Sequence, residues 1–370
     1  MLKSYKYRIY PSDEQKEQLQ CFFGVARLVY NLGLETKSNA YDSKQVNLSN
    51  YDLIKQLPEL RKEYDFIKDC PSQVLQQSLF NLDKAYKNFF KSKGKFPKYK
   101  NKYSKQSIKF NQNYKILFKD NKVKLPKIDT LINVIYDREF KGIPKSVTLS
   151  KTTTNKYFIS ILVDNKVDLP KKKRITKRTS VGIDLGIKDL VITSDNIIYK
   201  NKNFFKSQQR RLRIEQRSLS RKQKNSKNRD KQKLKVALLC ERIRNQRKYY
   251  LHSISTELVR NYNTIIIENL AVSNMVKNRK LSKAISDMGW RELRTMLEYK
   301  CNWYGKNLVV IDIFYPSSKL CSNCGTRKDN LKLSDRTYSC DSCKISIDRD
   351  LNASLNIKKQ GLVTILQSLK

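Results

Sequence analysis

The sequence predicts a multi-domain α+β protein, with a helical region and a small β domain followed by an α/β domain that holds a four-cysteine ribbon. Three observations carry this. The chain has 370 residues, more than one hydrophobic core usually organises. Its apolar spacing changes near Lys93 from a helical period to short alternating runs, and again after a basic link. Four of its eight cysteines fall in two tight pairs within one short window.

Taken in order, YKYRIYPSDEQ reads as a strand that turns at Pro11 into a helix, with Ser12 and Gln15 placed as a capping box. Leu19, Phe22, Phe23, Leu28, Val29 and Leu32 then mark one helix face. Val74, Leu75, Ser78, Leu79, Leu82, Ala85, Tyr86 and Phe89 mark a second. Both stripes read as core. QSIKF, YKILFKD, NKVKLP, SVTLSK and KYFISILVD follow as strands of a small, mostly antiparallel barrel or sandwich. The link LPKKKRITKRTS, residues 169–180, closes this region. After it, SVGIDLGIKDLVITSD turns about Gly186 and is followed by NIIYK, resembling the opening three-stranded meander of an RNase H-like sheet. A long helix is expected next.

Charge identifies the partner class. The chain carries 77 Lys and Arg against 34 Asp and Glu, a formal +43, and such a surface repels itself unless a polyanion covers it. Between Lys206 and Lys248 there are 17 basic residues and three acids, Glu215, Asp230 and Glu241. That imbalance points to a phosphate-tracking face with Arg210, Arg211, Arg213, Arg217, Arg221 and Lys222 as contacts. Lys98 and Lys100, in the aromatic-interleaved KFPKYKNKYSKQ (residues 95–106), are candidates for a second contact with bases stacked alongside. A membrane is not expected, because no apolar run approaches the about 18 residues of a spanning helix and the N-terminus lacks a signal-peptide core. A cytoplasmic, nucleoid-associated protein is expected.

His252 is the single histidine, so sites that need two imidazoles are excluded, and with them the histidine-rich nucleases and relaxases. Cys321, Cys324, Cys340 and Cys343 have two residues inside each pair and fifteen between the pairs. This is zinc-ribbon spacing, in which two knuckles close a structural tetrahedral Zn2+ site. Cys21, Cys70, Cys240 and Cys301 are scattered and read as inert core fillers. Catalysis must come from other residues. Asp184 in VGIDLG and Glu268 in TIIIENL each lie within an Ile/Val run, where an unpaired carboxylate is costly. A third acid opens a helix at DRDLNASLNI, with Asp350 and Asp348 as rivals. Three carboxylates suit two Mg2+ ions acting on a phosphodiester.

VGIDLGIKDL, IIIENL, PSSKLCSNCG with YSCDSC, and DRDLNASLNI, in this order, resemble the TnpB family of transposon-encoded proteins, whose layout type V CRISPR effectors share. The likeness runs from Ser180 to Ile357 and includes the N-terminal YKYRIYPSDEQ. It implies a wedge-like β-barrel (residues 1–10 and 96–172) with an inserted helical recognition domain (11–95). It also implies a RuvC-like nuclease domain (176–316 and 346–370) interrupted by a target-binding zinc ribbon (317–345). A guide RNA from the transposon end, a double-stranded DNA target beside a short motif, one Mg2+-dependent site and a monomeric loaded form are implied as well. The catalytic, metal-binding roles fall on Asp184, Glu268 and Asp350, the last because the family's third acid precedes Asn by two positions, as Asp350 precedes Asn352. Tyr249 and Ser253 depart from the pattern locally. A DDE-type transposase would put Glu last and on a helix, whereas here Glu268 is second and within a strand-like run. A non-cleaving guided or DNA-binding regulator shares every feature except the need for the acids.

Overall fold

The computed structural model describes residues 1–332 and 335–368 and divides into two compact units, Met1–Asp168 and Leu169–Lys370. In the first unit β1 (Leu2–Tyr10) leads into α1 (Asp13–Lys44), three short helices α2 (Asn50–Lys55), α3 (Leu57–Glu63) and α4 (Asp65–Lys68), and α5 (Ser72–Phe90). Six strands follow: β2 (Gln106–Phe110), β3 (Lys115–Leu117), β4 (Lys122–Lys124), β5 (Ile132–Ile135), β6 (Ile143–Lys151) and β7 (Tyr157–Asp164). The capping box is present, with Ser12 Oγ accepting from the Gln15 amide at 3.3 Å and Gln15 Oε1 accepting from the Ser12 amide at 2.9 Å.

β1 pairs with both β5 and β7, giving the antiparallel order β2-β6-β7-β1-β5-β4-β3. The outer strands β2 and β3 do not meet among the described residues, so the expected barrel is an open sheet. Its β3–β4 end is built of three-residue strands, and α1 and α5 pack beside β2 at the other. Tyr157, Ile159, Ile161 and Val163 alternate inward along β7 and join Leu19, Phe22, Val29, Leu75 and Leu82 in one core. The expected helical and β regions thus bury their apolar faces together. Of the scattered cysteines, Cys70 and Cys301 are buried as expected, while Cys21 and Cys240 are exposed.

The second unit runs β8 (Ser180–Asp184), β9 (Asp189–Thr193), β10 (Ile198–Lys200), α6 (Phe204–Arg221), α7 (Lys227–Asn261) and β11 (Thr264–Glu268). It continues α8 (Val272–Met275), α9 (Ser282–Met288), α10 (Trp290–Trp303), β12 (Asn307–Ile311), β13 (Thr337–Ser339), β14 (Ser346–Asp348) and α11 (Arg349–Ser368). The sheet order is β10-β9-β8-β11-β12, with an antiparallel meander through β8 to β10 and with β11 and β12 parallel to β8. This is an RNase H-like arrangement. The expected single long helix is two helices. The break comes at Ser226, which caps α7 by accepting from the Arg229 amide, and Arg229 Nη1 ties the turn by donating to the Leu219 and Lys222 carbonyls. Leu212, Leu239 and Ile243 form the seam between the two. No helix among the described residues is long and apolar enough to cross a membrane.

Candidate active site and four-cysteine ribbon

Strand parity aims the acids. Val181, Ile183, Ile265 and Ile267 pack with Leu251, Leu258, Leu293 and Leu297 of α7 and α10, so the alternate residues of β8 and β11 point to the opposite face. There Ile266 packs with Ile357 of α11. Asp184 and Glu268, the last residues of their strands, belong to that second face. Ile267 is the register partner of Ile183, so the two acids follow side by side at the carboxyl ends of adjacent parallel strands. Gly182 permits the close fit of α11 over β8: a Cβ there would lie 2.1 Å from the Ser354 carbonyl oxygen. That contact brings the amino end of α11, and with it Asp350, to Asp184.

The electrostatics agree. Burial, then Glu268, then Asp350 push the Asp184 carboxyl up to about 8, against a smaller downward pull from the Leu185 amide and Arg349. Burial also raises Glu268, while a hydrogen bond from Ser317 lowers it. Burial and Asp348 raise Asp350, with Arg336 and Arg349 opposing. Asp348 and Asp350 differ in their hydrogen bonding. Asp348 Oδ1 accepts from the Asp350 and Leu351 amides at 2.9 and 3.0 Å, capping α11, while Asp350 faces Asp184.

A half-open pocket of about 410 Å³ adjoins Glu268, lined also by Leu185, Trp290, Arg291, Arg294 and Glu298. Sequence reasoning missed Ser317, Asn352 and Asn356. Ser317 Oγ donates to Glu268 Oε1, and the two asparagines are 0% and 3% exposed. For the asparagines the signal was two amides four residues apart, on one face of the helix start.

The cysteines form a second constellation. The four Sγ atoms lie within 4.8 Å of one another, with Cys321–Cys343 and Cys324–Cys340 each at 3.5 Å, the spacing of a closed tetrahedral metal site. Each knuckle closes on an amide: Gly325 N donates to the Cys321 carbonyl and Lys344 N to the Cys340 carbonyl. Both turn residues take positive φ, +80° at Gly325 and +59° at Lys344. Thr326 holds the Cys324 thiol down at about 6, and burial pushes Cys321 up to about 11.

Arg210, Arg211, Arg213, Arg217 and Arg221 are exposed along α6, and Lys222 is partly so. Lys98 is exposed, but Lys100 turns inward with its ammonium 3.5 Å from the Tyr30 ring centre. Phe96 packs edge-on to Tyr86 and Phe89, while Tyr99 and Tyr103 project outward.

Strand order, the acids at its carboxyl edge and a cysteine ribbon set before the last helix define a class, RNase H-like proteins with a ribbon insertion. The chain belongs to the TnpB family. Residues 160–279 match a family described as a probable transposase and residues 290–357 a Cas12f1-like TNB domain. Residues 1–45 match one described as a helix-turn-helix domain, although here they form a strand and one continuous helix. Two relatives carry the name "Putative RNA-guided DNA endonuclease". That of Streptomyces pristinaespiralis is 40% identical over 97% of this chain and 89% of its own length. InsQ of Escherichia coli K12 is 32% identical over 97% and 92%. In fold the chain resembles Cas12f1 from a cryo-EM complex with sgRNA and target DNA, with a TM-score of 0.60 and 13% identity over 97% of this chain and 98% of that one.

Proposed function

We propose that the chain is an RNA-guided, Mg2+-dependent DNA endonuclease encoded by a transposable element, cutting target DNA beside a short adjacent motif with a single three-carboxylate site. The observation that carries this reading is that Asp184 and Glu268 end adjacent parallel strands on one face of the sheet, with Asp350 near enough to Asp184 to raise its carboxyl. A carboxyl pushed up to about 8 by burial first, then by Glu268 and Asp350, is a poor arrangement without a cation and a good one around hard dications. The donor set is all oxygen, as Mg2+ prefers. When bound, Mg2+ supplies an activated water and charge neutralisation at the leaving oxygen.

The protein's own part is to hold the carboxylates. Asp184 and Glu268 are fixed by strand register, Asp350 by the helix that Asp348 caps, and Arg336 and Arg349 offset the negative charge. In this reading residues 1–10 and 96–172 act as a wedge and 11–95 as the recognition region. Residues 176–316 with 346–370 form the RuvC-like nuclease, and 317–345 the target-contacting ribbon. Zn2+ fits the ribbon, because bonds of about 2.3 Å set tetrahedral thiolates about 3.8 Å apart. It is structural, since four cysteines leave no open position. The exposed α6 arginines suit the backbone of the guide RNA or the double-stranded target, and the loaded protein is a monomer.

Separate Asp350→Ala and Asp348→Ala variants test the site. Asp350→Ala should abolish Mg2+-dependent cleavage of a guide-matched duplex while guided binding persists. Asp348→Ala should keep cleavage and lose about 1 kcal/mol of stability as a removed helix cap. The opposite pattern would reassign the third acid, and cleavage that survives all three acid-to-alanine changes would refute the site.

A further inference from the structure

Glu268 is gripped from outside its own sheet. The Ser317 hydroxyl donates to Glu268 Oε1, and Ser317 is only 7% exposed, so water competes poorly for that oxygen. Ser317 is itself clamped. Asn356 Nδ2 donates to the Ser317 carbonyl at 2.8 Å and to the Leu320 carbonyl at 2.6 Å. Asn352 Nδ2 donates to the same Leu320 carbonyl at 2.7 Å, while Asn352 Oδ1 accepts from the Ser322 amide at 2.8 Å. Lys359 Nζ donates to the Ser322 carbonyl. Every one of these donors or acceptors on α11 reaches a segment that ends beside the ribbon's first cysteine, and Asn352 stands two residues from Asp350.

We propose that Ser317 is a positioning residue for Glu268 and that the Ser317–Ser322 segment, locked to α11 by Asn352 and Asn356, makes the cysteine ribbon a brace for the active site. The proposal rests on the nuclease reading for what Glu268 does. Its physical basis is independent of that reading. A buried carboxylate on a strand end can rotate about its side-chain torsions, and one fixed oxygen orients the other. The two asparagines satisfy backbone carbonyls that an apolar helix face would leave unpaired, so the segment cannot lift without exposing them. Partners of this kind typically change metal affinity or activity by about 10–100-fold when removed.

The test uses the full chain purified with its RNA, in wild-type, Ser317→Ala, Ser317→Thr and Asn356→Ala forms. Mn2+ binding is read by electron paramagnetic resonance without target DNA, alongside the Mg2+ dependence of cleavage, guided target binding and thermal unfolding. Ser317→Ala is expected to weaken Mn2+ binding about 10–100-fold and to raise the Mg2+ requirement in step; target binding should not change, because the buried Ser317 hydroxyl is turned to Glu268 and not to the ribbon's outer surface. Ser317→Thr, which keeps the hydroxyl, should recover most of the loss, and Asn356→Ala should shift both readouts the same way. Wild-type Mn2+ affinity in Ser317→Ala would overturn the proposal, as would a loss shared equally by target binding and melting temperature. A wild-type protein that binds Mn2+ at this site without cutting DNA would refute the nuclease reading and leave the brace tested by Mn2+ affinity alone.

Discussion

Asp184 bears the electrostatic cost of the site, and that cost has a pH signature. Its folded-state carboxyl titrates at about 8, above the ordinary aspartate range near about 4. Between those values the folded chain holds a proton that the unfolded chain has released. Stability contributed by this group is therefore full at low pH and is lost as pH rises through that window. Burial raises Glu268 and Asp350 in the same direction. A bound dication reverses the balance by favouring the charged forms. Thermal unfolding with and without Mg2+ should show a larger stabilisation at pH 8 than at pH 5, and Asp184→Asn should shrink the difference. An equal Mg2+ effect at both pH values would contradict this account. In the ribbon, Lys344 occupies a left-handed turn position, φ +59°, where its structural counterpart is Gly325. The strain of a side chain there is about 1–2 kcal/mol, partly offset by the extra unfolded-state freedom of glycine. Lys344→Gly should thus gain about 0.5–1 kcal/mol, seen as a higher chelator concentration needed to strip the ribbon metal. A lower one would show that the lysine contributes a contact of its own.

Among the elements, the contact between β8 and α11 decides whether the acids meet. Gly182→Ala would drive a methyl against the Ser354 backbone, which cannot rotate away as a side chain can. A loss of about 1–3 kcal/mol is expected, together with weakened Mg2+ binding because Asp350 withdraws from Asp184. A melting curve and a metal titration check both, and an unchanged pair would mean α11 shifts freely. How much of this was legible in sequence differs by element. The Ser12–Gln15 box, the β8–β10 meander and the cysteine knuckles were readable because each depends on residues close in the chain. The facing of Asp184 and Glu268 was not, since β8 and β11 are covered on both sides and read as continuous apolar runs without alternation. The turn at Ser226 was hidden by the charge run, which passes through it without Gly or Pro. Its one local sign was a serine able to cap. The open form of the first sheet was also beyond reach, because edge pairing depends on strands far apart in sequence. Ser317 escaped notice for the same reason, its partner lying 49 residues away.

For the whole molecule, the +43 charge sets what the folded chain needs more than what it does. Any polyanion lowers the self-repulsion, so salt-sensitive binding to nucleic acid is expected under every reading and discriminates none of them. What separates a guided nuclease from a guided regulator is whether the acidic cluster is used. What separates both from an unguided enzyme is whether a defined RNA travels with the protein. Expression together with its native flanking DNA, sequencing of the RNA that co-purifies, and incubation with a duplex matching that RNA in Mg2+ address both points, with Asp184→Ala alongside. The account predicts one discrete RNA species from the element's end and cleavage that requires the RNA, the metal and Asp184 together. Cleavage without RNA, or cleavage undiminished in Asp184→Ala, would contradict it.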